Sequence, residues 1–422
     1  MHMKKLTISS LFFLLIGLNV VFAQKKCAMP LKKVATDQDL QSMLDLRRAS
    51  QKERLRLNLN EVIKIPVVVH VIHSNNSGEI GGPSNANISN EQIFSQIKVL
   101  NEDYRRIFDT PGYNTNPVGA DMGIEFYLAT TDPDGNPTSG ITRHFNAKRQ
   151  WDILRDVNQI ASISSWDTNR FLNIWVLDLT TTYLGFAEFP GAAIDGLDLE
   201  DPDALTDGVF VDYAYFGRQT GTALDGPYTY GRTATHEIGH WLGLIHIWGD
   251  ARCGDDYCTD TPTVESENLN VDCNAKFSRC TGSTQRAMIE NYMDYSADQC
   301  MNIFTQDQKS RVRAILELSQ RRRRLVLNSE SLLPPSQTLQ VKLLSHPNTK
   351  ENLSMQVLLP DFQDFNIQFY DILGHLVDEK SYVDYPSTIV QFDVFPRLKG
   401  GQLYFMKVTS NNDLVTYRVA LF

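Results

Sequence analysis

Three histidines within residues 236–246, HEIGHWLGLIH, have the spacing of a metal site. His236 and His240 are four residues apart, so on a helix they lie on one face. Gly243 can then turn the chain out of the helix, and His246 returns as a third imidazole. Three neutral imidazoles suit Zn²⁺ and leave its fourth tetrahedral position open, as in catalytic zinc sites. The spacing therefore predicts a catalytic zinc centre held by His236, His240 and His246.

A carboxylate follows the first of these histidines directly. Glu237 can take a proton from water activated at the metal, which is the role of a general base in hydrolysis. The longer pattern HExxHxxGxxH is the metzincin signature, and that class also carries a methionine in a tight turn beneath the metal. Residues 291–295 read NYMDY and place Met293 at such a turn. Two independent motifs favour this interpretation over a buried helix with incidental histidines.

The segments before the zinc motif predict an α/β region that positions it. Residues 65–73, IPVVVHVIH, are β-branched and predict a strand in which His70 and His73 are ordinary strand residues. Ser89 and Gln92 predict a capping box. The helix that follows should carry an apolar stripe of five residues: Ile93, Ile97, Leu100, Tyr104 and Ile107. Further strands are predicted over 124–130, 173–179 and 208–213, with a turn at 132–136.

The segments after the zinc motif differ in amino-acid composition from those before it. Residues 250–290 are rich in Asp, Cys, Thr and Asn and predict an irregular lower half of the metal cleft. Thr305 and Gln308 predict a second capping box and a helix through about Arg324. We interpret the basic run Arg321–Arg324 as the solvated end of that helix.

Length and charge limit the classes of function. The chain has 422 residues and a formal net charge of −10, so it lacks the basic footprint of a nucleic-acid-binding protein. Residues 1–23 resemble a secretory signal peptide, because two lysines precede an apolar stretch too short to span a bilayer. No later stretch predicts a transmembrane segment. We therefore expect export, which permits disulfides.

The remaining chain divides into four predicted parts. Residues 24–54 are polar, lack a strand pattern and predict a pro-segment with arginines as cleavage points. Residues 55–328 form the predicted catalytic domain, and 329–337 a proline-containing linker. Residues 338–422 alternate short strands and turns, which predicts a C-terminal β-sandwich without a catalytic constellation.

The zinc motif, NYMDYSADQCMNIFTQDQ and DPDGNPTSGITRHF together resemble the pappalysin family of metzincin metallopeptidases, over about residues 55–325 and the cysteine near the mature N-terminus. The resemblance implies an α/β (α+β) fold whose zinc cleft lies between a mixed-sheet upper half and an irregular lower half. It also implies that Tyr295 stabilises the tetrahedral intermediate. The alternative for Tyr295 is a packed turn residue.

Six cysteines remain after the signal segment, and their spacing alone leaves the pairing open. The resemblance implies disulfides Cys253–Cys280 and Cys273–Cys300, with Cys258 unmatched. It also implies a structural Ca²⁺ in the same loop, for which hard oxygen ligands are available. The candidate ligands are Asp255, Asp256, Thr259, Asp260 and Thr261. A polar solvated loop is the alternative.

Two further expectations concern regulation and specificity. Pappalysin zymogens look similar around Cys27, whose thiolate would occupy the open zinc position and keep the enzyme latent. The alternative is a Cys27–Cys258 disulfide. Asp298 lies in the segment that walls the pocket for the residue after the scissile bond, where a carboxylate would favour Arg or Lys. Asp298 could equally be a solvent-facing loop residue.

The C-terminal part resembles the sorting domain of type IX secretion substrates, the alternative being a generic immunoglobulin-like module. We thus expect a secreted zinc endopeptidase with protein or peptide substrates, which meets the export machinery through its C-terminal domain. Two alternatives are a non-proteolytic adhesion protein and a zinc amidohydrolase acting on a non-peptide substrate.

Overall fold

The computed structural model describes residues 25–28, 61–180, 183–198, 200–269, 271–329, 332, 338–344, 349 and 351–422. The predicted signal peptide, most of the predicted pro-segment and nearly all of the predicted linker lie outside these residues. None of the helices in the described ranges combines the length and apolar character needed to cross a bilayer.

A seven-stranded mixed sheet forms the upper half of the region that the sequence predicts to be catalytic. Its strands are β1 (Lys25–Ala28), β2 (Ile63–His73), β3 (Ile124–Leu128), β4 (Ile141–Phe145), β5 (Leu172–Leu177), β6 (Tyr183–Ala187) and β7 (Gly208–Asp212). The strand order is β1-β6-β7-β5-β2-β3, and β4 also pairs with β2. Only β6 and β7 run antiparallel. The remaining pairs, including β1 with β6, are parallel.

Helices cover both faces of this sheet. They are α1 (Asn90–Tyr104), α2 (Ile153–Ile163), α3 (Arg232–Trp241), α4 (Gln306–Leu318) and α5 (Gln320–Ser329). Alternate strand residues point to opposite faces. Ile174 of β5 therefore joins the main core with α1 and α3, while Trp175 packs with α2 on the other side. Burial on both faces explains why β2 and β5 read as continuous apolar runs.

The first helix departs from its sequence prediction at both ends. Ser89 accepts a hydrogen bond from the Gln92 amide, but the Gln92 side chain donates to the carbonyls of Tyr213 and Phe216 (2.9 and 2.8 Å) and does not complete a capping box. At the other end, Arg106 takes a positive φ of 46°, which a helix cannot continue. Ile107 therefore lies beyond the helix and is 42% exposed, so its assignment to the apolar stripe was wrong.

The second capping box is confirmed, but the helix that it opens is interrupted. Thr305 and Gln308 bond reciprocally at the start of α4. Ser319 then adopts an extended ψ of 122° and donates to Asp201 (3.0 Å), which separates α4 from α5. The interpretation of Arg321–Arg324 as a solvated end was also wrong for Arg322. Its guanidinium is fully buried and bonds both oxygens of Asp207 at 2.6 and 2.7 Å.

The predicted absence of a strand in the pro-segment was wrong as well. Lys25–Ala28 forms β1 by pairing in parallel with the outer edge of β6, with Cys27 opposite Gly185. Four residues are too few for an alternation signal. This strand is defined by the backbone groups of its neighbour, and the sequence of the segment alone does not show it.

The lower half is irregular and is joined by two disulfides. Cys253 bonds to Cys280 and Cys273 bonds to Cys300, the pairing that the resemblance implies. Among the described residues of this half, the regular elements are the hairpin of β8 (Phe277–Ser278) and β9 (Gln285–Arg286) and one 3₁₀ turn (Asp298–Cys300). Cys27 and Cys258 are both buried thiols, so the alternative Cys27–Cys258 bridge is absent from the described structure.

The C-terminal module contains two antiparallel sheets. Its strands are β10 (Gln340–Leu343), β11 (Ser354–Leu358), β12 (Gln363–Tyr370), β13 (Leu376–Tyr385), β14 (Thr388–Gln391), β15 (Gln402–Ser410) and β16 (Asp413–Leu421). The orders are β10-β11-β14 and β13-β12-β15-β16. Buried residues of both sheets, such as Met355 and Phe369, belong to one apolar cluster. Strands were predicted here and are present, whereas a closed sandwich stays a prediction.

Candidate active site

Helix α3 carries the first two histidines, and other elements hold its N-terminus. Its N-cap is Gly231, at φ 81°, which has no side chain to accept from the first free amides. The carboxylate of Asp298 takes this role, since its Oδ2 accepts from the amides of Tyr230 and Arg232 at 3.1 and 3.0 Å. Asp103 of α1 pairs with the Arg232 side chain in the same buried region. The helix is thus fixed where its positive dipole end faces two carboxylates.

The three predicted imidazoles meet in one place. The Nε2 atom of His240 lies 3.0 Å from that of His236 and 3.1 Å from that of His246, and the third separation is 3.3 Å. All three side chains are at most 1% exposed. Nitrogen ligands about 2.0–2.1 Å from a tetrahedral Zn²⁺ are separated by about 3.3 Å, close to these values.

The outer nitrogens determine which nitrogen of each ring carries the proton. Nδ1 of His236 faces the carbonyl of Tyr292 at 2.6 Å, and Nδ1 of His240 faces that of Leu244 at 2.8 Å. Nδ1 of His246 bonds the carboxylate of Asp250. Each Nδ1 must donate to its acceptor, so the three Nε2 atoms present converging lone pairs. Burial, together with His246, lowers the pKa of His240 to about 3. The converging lone pairs of the three imidazoles fit a divalent cation.

Glu237 lies beside this cluster and is fully buried. The strand β6 passes close to it at Gly185. A Cβ added at Gly185 would come within 2.7 Å of Cγ of Glu237, so only glycine leaves the glutamate its present position. The carboxylate Oε2 accepts from the thiol of Cys27 at 3.2 Å.

Cys27 joins the histidines to complete a four-residue group. Its Sγ and the three imidazole nitrogens all lie within 4.8 Å of one another. Among the described residues this is the only group of three or more His, Cys, Asp or Glu side chains with the geometry to hold a metal ion. The strand β1 positions the thiol, and the hydroxyl of Tyr295 donates to the Cys27 carbonyl at 3.3 Å.

Aromatic and sulfur-containing side chains close the site from below. The rings of His246 and Trp248 stack at 4.2 Å, and Tyr295 meets both of them edge-on at 4.9 Å. Burial, with the nearby Cys27 and Glu237, raises the pKa of Tyr295, so its hydroxyl keeps its proton and can donate. Met293 is fully buried under α3, where a side chain at Gly239 would collide with its sulfur.

Asp298 and the residues of the predicted calcium loop lie outside the group formed by Cys27 and the three histidines. Asp298 is fully buried, which contradicts the alternative of a solvent-facing loop residue. In the predicted calcium loop, Asp256 accepts from the hydroxyl of Thr261 at 2.8 Å, and Thr259 bonds to Asp307. Burial raises the pKa of Asp256 to about 7. Asp256 thus bonds within the loop, whereas Thr259 bonds to Asp307 in the first turn of α4.

Three residues around the site were absent from the sequence predictions. Asp250 stands four residues after His246, a spacing that is a weak signal outside a helix. Gly185 leaves space for Glu237, and Asp103 pairs with Arg232 across 129 positions of sequence. No local pattern identifies either of them, since their roles depend on contacts between distant segments.

The fold and the histidine cluster define a metallopeptidase, and comparisons with known proteins agree on that class. A family model for peptidase family M43, described as pregnancy-associated plasma protein-A, matches residues 156–317. The chain is 31% identical over 258 residues to "Extracellular metalloprotease 1" of Coccidioides posadasii, covering 60% of this chain and 77% of that protein. It is 29% identical over 321 residues to an "Extracellular metalloprotease" of Colletotrichum graminicola, covering 74% and 96%.

Solved structures give the same result. A promirolysin variant of Tannerella forsythia superposes with a TM-score of 0.60 at 35% identity, covering 74% of this chain and all of that one. Mature mirolysin in complex with a cleaved peptide superposes with a TM-score of 0.56 at 38% identity, covering 65% and 99%. The chain belongs to peptidase family M43 and is a metalloendopeptidase.

Proposed function

We propose that the protein is a secreted zinc endopeptidase in which His236, His240 and His246 hold the metal. The carrying observation is the convergence of three Nε2 lone pairs whose tautomers are determined by Tyr292, Leu244 and Asp250. When bound, Zn²⁺ supplies Lewis acidity toward the scissile carbonyl and makes a water nucleophilic at neutral pH. The extracellular names of the relatives support secretion.

The side chains of this chain supply the remaining chemistry. Glu237 takes a proton from the attacking water and passes it to the leaving amine. Tyr295 donates a hydrogen bond from its hydroxyl to the oxyanion that develops on the substrate carbonyl. Both groups are buried, so their interactions with the reacting atoms are little screened by solvent.

Proteolysis is tested by digesting a peptide library with the full chain and identifying the products by mass spectrometry. We expect cleavage that a chelator abolishes and Zn²⁺ restores, and a His246→Ala variant should neither bind Zn²⁺ nor cleave. Zinc binding without cleavage, even after removal of the pro-segment, would favour the adhesion alternative. Hydrolysis of amides but not of peptides would favour the amidohydrolase.

We further propose that the protein is made as a latent zymogen. Cys27 supports this, because its thiol lies in the ligand group and its segment pairs with β6 at the cleft. A thiolate is a strong zinc ligand and would exclude the water that the reaction needs. Cleavage near Arg47–Arg56 would release the segment.

Substrate preference, calcium and export complete the proposal. A buried Asp298 can pair with Arg or Lys directly after the scissile bond.

Calcium binding at the 255–261 loop stays a prediction, and titration of the chelated protein with Ca²⁺ tests it. The C-terminal module is proposed to be a β-sandwich that meets the type IX export machinery, and deletion of residues 338–422 should then leave the enzyme inside the cell.

A further inference from the structure

The three imidazoles of the ligand group differ in what supports them. His236 and His240 donate from Nδ1 to backbone carbonyls, which are neutral acceptors. His246 donates to the carboxylate of Asp250, a charged acceptor. A hydrogen bond to a charged group is about twice as strong as one between neutral groups. His246 therefore has a different electrostatic environment from the other two ligands.

A strained turn brings Asp250 back to His246. Gly249 and Asp250 both take positive φ, 61° and 55°, and the Gly249 amide bonds the His246 carbonyl at 2.8 Å. Aspartate is one of the few residues that tolerate this conformation. Trp248 stacks on the His246 ring with an interplanar angle of 7°, which limits its rotation. The turn thus presents a carboxylate to a ring that is already held in place.

Asp250 also connects the buried site to the surface. Its side chain is 23% exposed whereas that of His246 is 1% exposed. Asp250 lines an open groove together with Arg252, Glu265 and Glu267. The carboxylate therefore links the open groove to the buried imidazole of His246.

We propose that Asp250 is a positioning residue that sets the metal affinity of the site by acting through His246. Its negative charge draws the Nδ1 proton and makes Nε2 of His246 a stronger donor, which the carbonyl partners of His236 and His240 cannot do to the same extent. This inference rests on the zinc ligands of the proposed function. Asp250 is not a member of the group formed by Cys27 and the three imidazoles, and its contact with that group is through the His246 ring.

The test measures zinc affinity by competition with a chromophoric chelator, using the full chain. Asp250→Asn keeps a hydrogen-bond acceptor and tolerates positive φ, but removes the charge. We expect zinc to bind about 10–100-fold more weakly, the usual loss on changing an outer partner of a metal ligand. Glu265→Gln is the matched control, since it removes one charge from the same groove without touching His246, and its zinc affinity should equal that of the parent.

Asp250→Gly is a second variant that should fold, because glycine adopts the positive φ of this turn without strain. It also removes the hydrogen-bond acceptor of His246 Nδ1 altogether. Circular dichroism and melting of the metal-free proteins establish that each variant folds. The Co²⁺-substituted protein gives a second readout, and its visible absorption bands should shift in both Asp250 variants and stay fixed in Glu265→Gln. Parent-like zinc affinity in Asp250→Asn would overturn the proposal, as would equal weakening in Glu265→Gln. If the parent itself binds no zinc, the proposed function fails instead.

Discussion

At the scale of single residues, the position of Glu237 depends on what its neighbours lack. Gly185 on β6 leaves the space that the glutamate occupies, and Gly239 leaves the space for the sulfur of Met293. Neither glycine has a positive φ, so glycine is not required there by backbone conformation. It is required because a neighbouring side chain approaches the backbone closely at both positions. Strand β6 thus confines the Glu237 side chain, and Met293 packs against the helix that carries it.

Replacing Glu237 separates chemistry from metal binding. Glu237→Ala should keep stoichiometric zinc and the fold but lose about 10²–10⁴-fold or more in kcat, because the proton transfer loses its base. Peptide cleavage and metal content are measured on the same preparation, with Glu267→Ala as a control for a glutamate outside the ligand group. Parent-like turnover in a zinc-loaded variant would contradict the mechanism.

Asp298 combines a structural and a proposed specificity role, so the variant must separate them. Asp298→Asn keeps an acceptor for the amides of Tyr230 and Arg232 but loses the charge. A hydrogen bond to a charged group contributes about 1.5–3 kcal/mol, so the preference for Arg or Lys after the scissile bond should fall about 10–100-fold. The measurement compares kcat/KM for two peptides that differ only in Arg or Leu at that position. An unchanged ratio would show that Asp298 serves the helix alone.

At the scale of elements, β1 and β6 bring a distant thiol into the cleft. The pairing of Cys27 with Gly185 places Sγ against Glu237 and the imidazoles. Cys258 lies elsewhere, near Asp256 and Arg311, and burial raises the pKa of its thiol. The two thiols are therefore chemically distinct, although both are buried.

Latency should depend on Cys27 and not on Cys258. Cys27→Ala zymogen should cleave peptide substrate or process itself early, because β1 then carries no ligand for the open metal position. Cys258→Ala is the matched control and should remain latent. Activity is followed from the moment of purification with a quenched fluorescent peptide. A Cys27→Ala zymogen as silent as the parent, yet active once cut near Arg47–Arg56, would refute the switch.

At the scale of the whole molecule, the C-terminal module packs on helix α1 of the catalytic region. The ring of Tyr385 meets that of Phe94 edge-on at 4.8 Å, and its hydroxyl donates to Glu91 at 3.1 Å. The buried amide of Gln356 donates to the carbonyl of Thr130 at 2.7 Å. Because α1 also supports α3 through Asp103, the interface is mechanically connected to the active-site helix.

Loss of this interface should lower the stability of the catalytic region itself. Tyr385→Ala removes, across the interface, the aromatic pair with Phe94 and a hydrogen bond to a carboxylate, together worth about 1–3 kcal/mol. All five tryptophans lie in residues 151–248, so their fluorescence reports unfolding of the catalytic region alone. We expect a lower urea midpoint in a Glu237→Ala background, which prevents self-digestion. Tyr370→Ala, whose hydroxyl bonds within the module to Gln368, should leave that midpoint unchanged.

The sequence by itself determined the parts of this protein whose chemistry is local. The zinc motif spans eleven residues, and helix geometry alone predicts that His236 and His240 share a face. The capping pair Thr305 and Gln308 is equally local, and so are the apolar runs of β2 and β5. Local patterns carry this information because the interacting groups are within a few residues of one another.

Only the tertiary structure decided which distant residues meet. The strand β1 exists because β6 offers it an edge, and Arg322 is buried because Asp207 and Trp241 receive its guanidinium. The same holds for Asp298 at the start of α3 and for Gly185 beside Glu237. Each of these roles depends on a charge, an edge or a space supplied by a segment far away in the chain. No periodicity or spacing records such a partner, so packing alone assigns it.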